Sequence, residues 1–362
     1  MLPSADALRP FLERIDANRH YTNSGTLHDE FLEQVIAIQR SHDGAAIHGV
    51  LTSSGTTGLE LAISALDLPA GSRVAVPAFT FPATATAVQR CGYVPIVFDV
   101  DCRTWLLTPE QIPLERMPSA GIKAVIPVAA FGMPQDVIAW SKWSQAHEIP
   151  VIVDAAASFG AQKICADVTV VFSLHATKAL SSGEGGVVLT QNSALAARLR
   201  AMANFGFGLD APSWGTNAKM SEYHAAVGLA HLRLWPAQTA ARMELLKRFK
   251  LALSLDAGNT FNHQFDTGLV APTIFCLQFS TPELRNRLEA ACEVQGVQTR
   301  RWYLPLLQQQ PMFFRCERAL LTPNAEWLAQ TLLGLPFYVG MTATEFDMIA
   351  ELVLGLNRIK MR

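Results

Sequence analysis

Charge is scarce in this sequence. Only 17% of its 362 residues are Asp, Glu, Lys or Arg, and the formal net charge is -2. Such a balance gives no general attraction to nucleic acid or to an anionic membrane, so any anionic ligand must be held by local groups. Cysteine is scarce as well: six residues, at 91, 102, 165, 276, 292 and 316, with no CxxC spacing. That excludes a disulfide framework and offers no sign of a zinc site, so no metal is expected. No stretch reaches the roughly 18 apolar residues of a membrane span, and Met1-Leu2-Pro3 leads quickly into charged residues. Membrane insertion is therefore not expected, and the protein reads as cytoplasmic. Neither a Walker A loop nor a GxGxxG fingerprint is present, which argues against the common ATP and NAD sites.

What is present is apolar sequence in strand-sized runs. Hydrophobic residues make up 50% of the chain, enough to bury a large core. Strands are expected at Arg73 to Pro77, Val94 to Val100, Lys123 to Val128, Pro150 to Asp154, Val168 to Ser173 and Gly186 to Thr190. Their continuous Val/Ile runs, without in-out alternation, indicate strands covered on both faces. Helical patterns at Gly58 to Leu66, Pro82 to Cys91, Pro134 to Glu148 and Ala194 to Phe205 supply the cover. The expected fold is an α/β three-layer sandwich with a mostly parallel central sheet. A helix over Ser221 to Leu232 is expected to break at Trp235-Pro236 before a second over Ala237 to Leu253. Strands near Leu269 to Phe279 and helices at Pro282 to Gln295 and Ala343 to Leu354 then suggest a smaller α+β unit. The division expected is 1–240 for the large domain and 241–362 for the small one.

Four groups along the strand ends could carry chemistry. Ser53-Ser54-Gly55-Thr56-Thr57-Gly58 precedes a helix; its glycines and free N–H groups suit a phosphate, though a plain N-cap with a turn explains them equally well. Asp154 ends an apolar run and is followed by Ala155-Ala156-Ala157. A carboxylate at a strand's carboxyl end either caps the strand or faces a ligand. Ser173 and His175 follow the next strand, where a turn hydrogen bond or a ligand contact would account for them. Lys178 stands before Ser182-Gly183-Glu184-Gly185-Gly186. It is an exposed loop lysine or, if desolvated, a nucleophile able to form a Schiff base.

Read together, these residues resemble the DegT/DnrJ/EryC1/StrS family of sugar aminotransferases that use pyridoxal 5'-phosphate (PLP). The matching runs are Ser54-Gly55-Thr56, Val76 to Phe81, Asp154-Ala155-Ala156, Phe172 to Lys178, Gly183 to Gly186, Asn217 to Glu222 with Ala225-Ala226, and Thr299 to Leu306. They occur in family order over most of the chain. The resemblance implies the PLP-dependent transferase fold of type I, with PLP bound covalently to Lys178 as the internal aldimine and pyridoxamine phosphate as the intermediate form. It implies that Asp154 pairs with the pyridine nitrogen, that Gly55, Thr56 and Ser173, with Ser54 beside them, hold the phosphate, and that Phe81 stacks on the ring. Asn217 would reach the cofactor phosphate of a neighbouring subunit, giving a homodimer with shared active sites. Glu184, Lys219, Arg300 and Tyr303 are candidate substrate residues, and each has an ordinary surface or packing alternative. Two positions depart from the family pattern: Ala157 stands where glutamine is usual, and Leu307 where histidine is common.

The activity implied is transfer of an amino group from L-glutamate to a nucleotide-diphosphate-linked ketosugar, giving an aminosugar for surface polysaccharide or glycoside biosynthesis. Lys178 argues against the family's dehydratase relatives, in which histidine replaces this lysine. The same lysine and aspartate would equally serve a PLP enzyme acting on a small amino acid by elimination or decarboxylation. A relative turned regulatory or scaffold protein is the third class, and cofactor binding separates it from both enzymes.

Overall fold

The Val and Ile runs form the centre of an eight-stranded sheet. The computed structural model describes residues 2–39, 41–114, 121–208, 215–254, 261–264 and 272–358. Two helices, α1 (Ala5–Asn18) and α2 (Thr26–Ile38), precede β1 (His48–Thr52), α3 (Gly55–Ser64), β2 (Arg73–Pro77), α4 (Ala83–Arg90) and β3 (Val94–Phe98). The chain continues through β4 (Ile122–Val125), α5 (Val137–His147), β5 (Val151–Asp154), β6 (Val168–Ser173), β7 (Gly186–Thr190) and α6 (Ser193–Met202). After α7 (Glu222–Ser254) come β8 (Phe261–His263), β9 (Phe275–Phe279), α8 (Pro282–Val294), β10 (Glu317–Arg318), α9 (Pro323–Thr331), β11 (Leu332–Leu335) and α10 (Ala343–Arg358).

The large sheet has the order β1-β7-β6-β5-β4-β2-β3-β10. All pairs from β6 to β10 are parallel, and β7 alone runs against its neighbours. Successive strand residues serve opposite layers: Val170 and Phe172 pack with Phe31, Trp140 and Leu229, whereas Val171 packs with Leu59, Val88 and Leu199. Helices α1, α2, α5 and the first part of α7 cover one face; α3, α4 and α6 cover the other. This is the expected three-layer α/β arrangement, and it follows from the period-2 geometry of strands rich in Val and Ile.

A second sheet, β11-β9-β8, is antiparallel throughout. Its core joins Phe275, Leu277 and Phe279 to Leu288 and Cys292 of α8, Ile349 and Val353 of α10, and Phe249 of α7. The six strands expected in the first half of the chain are all present, with ends shifted by three residues or fewer. Of the strand region expected near Leu269 to Phe279, β9 begins at Phe275, and residues 269–271 lie outside the described residues.

The expected helix break at Trp235-Pro236 does not occur: α7 runs through Pro236 for 33 residues. Proline inside a helix removes a hydrogen bond at a cost of about 3 kcal/mol, and here tertiary packing outweighs it. His231 Nε2 pairs with Gln238 Oε1 across the proline at 2.9 Å. Trp235 meets Phe159 edge to face, and beyond it Leu245, Leu246 and Phe249 enter the second core. With both ends anchored, the helix has nowhere to turn.

Candidate active site

The parallel sheet brings several of the candidate residues to one edge. Asp154 is the last residue of β5 and Ser173 the last of β6. Ser173 pairs with Gly186 of β7, which in turn pairs with Thr52 at the end of β1. The segment leaving β1 therefore starts α3 directly beside Ser173. A Cβ added at Gly55 would lie 2.9 Å from Ser173 Cβ, and one at Gly186 would lie 2.5 Å from the Ser54 carbonyl oxygen. Only glycine permits these two approaches.

Along this edge opens a cavity of about 570 Å³. Ser54, Gly55, Thr56, Phe81, Asp154, Ser173, Lys178, Glu184, Arg300 and Tyr303 all line it. Two expected site residues do not. Asn217 is exposed and pairs with Asn204 in an isolated bridge, and Lys219 places its Nζ 4.7 Å from the centre of the Phe205 ring. Lys219 instead borders a separate hollow of about 320 Å³ with Asn23, His28, Arg200 and Asn204.

At the start of α3 both readings of the Ser-Gly-Thr segment hold. Ser54 is the N-cap: its Oγ accepts from Thr57 N–H at 3.0 Å. Gly58 N–H donates to the Ser54 carbonyl at 3.0 Å. The N–H groups of Gly55 and Thr56, in the first turn, have no partner among the described residues and border the cavity. That is the geometry of an anion cradle. Ser173 Oγ accepts from His175 N–H at 3.3 Å, the turn bond expected of such a serine, and its own hydrogen remains to donate.

Asp154 is 4% exposed. Thr84 donates to its Oδ2 at 2.8 Å, and Ala156 N–H donates to Oδ1 at 3.1 Å. Burial raises its pKa, and these two donors and the Lys178 ammonium oppose the rise. Lys178 shifts the other way: burial lowers its pKa and the Asp154 charge resists. A lysine so placed releases its proton more readily than one in water. Nothing in the sequence singled out Thr84, one of several threonines in a row of small residues; only the position of α4 against β5 reveals it.

Around the mouth, Thr177 N–H donates to His175 Nδ1 at 3.3 Å. His175 Nε2 faces Glu184 Oε1 at 3.7 Å. Tyr303 lies parallel to Phe131 with ring centres 5.3 Å apart, and burial pushes its phenol pKa up. Phe131, Thr273, Ile274 and Trp302 also line the cavity, and none was distinguishable in the sequence from ordinary core residues. Ala157 borders the cavity; Leu307 does not, being fully buried in the core beside α9. The departure at 157 thus alters the cavity wall, and that at 307 alters the packing behind it.

Residues 8–354 match the sequence profile of the DegT/DnrJ/EryC1/StrS aminotransferase family. The chain belongs to this family. DesI, solved in the presence of its TDP-sugar product, is 28% identical with a TM-score of 0.85 over 99% of this chain and 93% of its own. A candidate PLP-dependent aminotransferase from Bacillus cereus ATCC 10987 is 24% identical with a TM-score of 0.87 over 99% of this chain and 98% of its own. NtdA from Bacillus subtilis, with bound cofactor PMP, is 23% identical with a TM-score of 0.84 over 98% of this chain and 82% of its own. The last two establish the shared fold, which is that expected from the strand and helix pattern.

The donor set fits PLP. The phosphate matches the free N–H groups of Gly55 and Thr56 and the Ser173 hydroxyl, and the pyridine nitrogen matches Asp154. The aldehyde matches Lys178, half-buried on the cavity wall. Phe81, a large aromatic 56% exposed at the cavity rim, offers an uncovered face to a planar ring. Among the described residues no group of three or more His, Cys, Asp or Glu could hold a metal ion, and no helix is long and apolar enough to cross a membrane.

Proposed function

We propose that this chain is a PLP-dependent enzyme that moves an amino group from L-glutamate to a nucleotide-diphosphate-linked ketosugar. The observation that carries the reading is the buried Asp154 and the half-buried Lys178 lining one cavity beside the α3 cradle. When bound, PLP supplies an electron sink that stabilises negative charge on the carbon of the amino group being moved. The protein's part is to position and to transfer protons.

In this reading Gly55 and Thr56 N–H and Ser173 Oγ bind the phosphate, while Phe81 covers one face of the ring. Asp154 holds a proton on the pyridine nitrogen. Lys178 Nζ would hold the cofactor covalently and, once freed by the amino donor, would take the proton from the donor α-carbon and deliver it to the carbon on the other side of the nitrogen. Burial suits it to this task, because a neutral amine is the form that accepts a proton. The same steps in reverse load the amino group onto the sugar.

The sugar acceptor rests on family membership and on the DesI structure, determined with a TDP-sugar product. Arg300, Trp302 and Tyr303, at the cavity's outer side, are the residues we assign to it, with Glu184. We also propose a cytoplasmic homodimer with shared sites; Asn217, exposed and outside its own chain's cavity, is placed as a residue serving another copy would be. The test is to incubate the purified protein with PLP and L-glutamate, measure 2-oxoglutarate, and then supply a panel of nucleotide-linked ketosugars. One half-turnover of 2-oxoglutarate, followed by aminosugar from at least one panel member, is expected. No 2-oxoglutarate would remove the donor, and no aminosugar would remove the acceptor class.

A further inference from the structure

Thr84 lies in the first turn of α4 and is 0% exposed. A helical threonine ordinarily turns its hydroxyl back to the carbonyl four residues earlier. Here the hydroxyl leaves its own helix and donates to Asp154 Oδ2 at 2.8 Å. The bond runs from the Thr84 hydroxyl to the carboxyl oxygen, the one direction open to it while Asp154 is ionised. Thr84 Oγ1 then remains an acceptor, and the buried Thr80 hydroxyl, 3.4 Å away, is placed to donate to it.

Asp154 thus has one donor on each oxygen, Thr84 on Oδ2 and Ala156 N–H on Oδ1. The groups of opposite or like character that also act on it are Lys178, from the segment after β6, and Tyr303, from the segment after residue 299. The backbone donor is insensitive to side-chain chemistry. Thr84 is therefore the adjustable partner.

Resting on the PLP reading above, we infer that Thr84 is a positioning residue that decides where the proton between Asp154 and the pyridine nitrogen resides. A hydrogen bond to the charged form of an acid lowers its affinity for a proton. With Thr84 donating, Asp154 stays a carboxylate and the ring nitrogen keeps the proton, which the electron sink requires. Without it, the carboxylate becomes the stronger base of the pair and draws the proton off the ring. The cofactor remains bound in both cases, but its electron demand falls.

The test reconstitutes the full-length protein with PLP labelled with ¹⁵N at the ring and reads the nitrogen shift, alongside steady-state kinetics. Wild type is expected to show a pyridinium. Thr84→Val, which keeps the shape and removes the donor, moves the shift toward free pyridine and lowers kcat about tenfold or more, with KM little changed; a charge-assisted hydrogen bond corresponds to that factor. Thr84→Ser restores both. If Thr84→Val yields no folded protein, Thr84→Ala carries the same comparison. A Thr84→Val or Thr84→Ala protein with the wild-type nitrogen shift overturns the inference even if its activity is low. A wild-type protein that retains no PLP overturns the cofactor reading itself, and the inference with it.

Discussion

On the sheet side of the cavity, Asp154 ends β5, Ser173 ends β6 and Gly55 opens α3, each held by strand register or by the first turn of a helix. On the far side, Phe131, Thr273, Ile274, Arg300, Trp302 and Tyr303 arrive on connecting segments, tied down by ring contacts and by one bridge between Arg300 and Gly334 of β11. The near wall presents polar groups whose positions are fixed before any ligand binds, as chemistry on a charged ring requires. The far wall presents aromatic surface and one exposed guanidinium, as recognition of a larger and variable partner requires. The contrast teaches that the two walls answer to different demands, and substitutions should separate them.

The largest effect is expected at Lys178. Lys178→Ala removes the proton carrier and should lower turnover more than about a thousandfold with every donor and acceptor, checked by steady-state assay with several of each. A loss confined to one substrate would erase the distinction between the walls. On the far side, Arg300→Ala should raise KM for the sugar substrate about tenfold, the worth of one exposed charge contact to a phosphate, while leaving the glutamate half-reaction unchanged in stopped-flow measurements. An equal loss in both half-reactions would contradict a purely acceptor-facing role.

A third test concerns stability without cofactor. Burial raises the pKa of Asp154, so the folded chain holds that proton more tightly than the unfolded chain. The stability this confers is complete below the ordinary carboxylate range and is lost as pH rises through the raised folded value. Asparagine does not titrate. In cofactor-free protein, Asp154→Asn should therefore melt higher than wild type at neutral pH, with the difference shrinking on acidification; with PLP present the order should reverse. Thermal melts across pH with and without PLP check both signs. The smallest effect expected is at Pro236, where Pro236→Ala restores a helical hydrogen bond in α7 and should stabilise the protein by about 1 kcal/mol, read by denaturant unfolding, with no change at either wall.

The near wall was legible in the sequence because its residues sit at the ends of apolar runs. Val151 to Asp154 and Val168 to Ser173 announce both a strand and the residue at its carboxyl end, and the glycines before Leu59 announce a helix start. The far wall was legible only in part: Arg300 and Tyr303 were marked by the family-like run Thr299 to Leu306, but Phe131 looks like any packed aromatic until the chain has folded, and no local pattern marks Thr84, whose partner lies 70 residues away. The short strand β10 escaped for a related reason. Glu317–Arg318 has no apolar residue at all and becomes a strand only by pairing with β3, helped by an ion pair between Arg73 and Glu317 at 3.0 Å. Pro236 shows the opposite failure, a strong local signal overridden by packing at both ends of α7.

The central claim is that Lys178 is the residue that holds the cofactor, and borohydride reduction tests it most directly. Protein loaded with PLP, reduced and digested, is mapped by mass spectrometry. The expected result is one phosphopyridoxyl group per chain, on the peptide containing Lys178, with none in Lys178→Ala. Modification of a different lysine in the wild-type protein, or none at all, would contradict it.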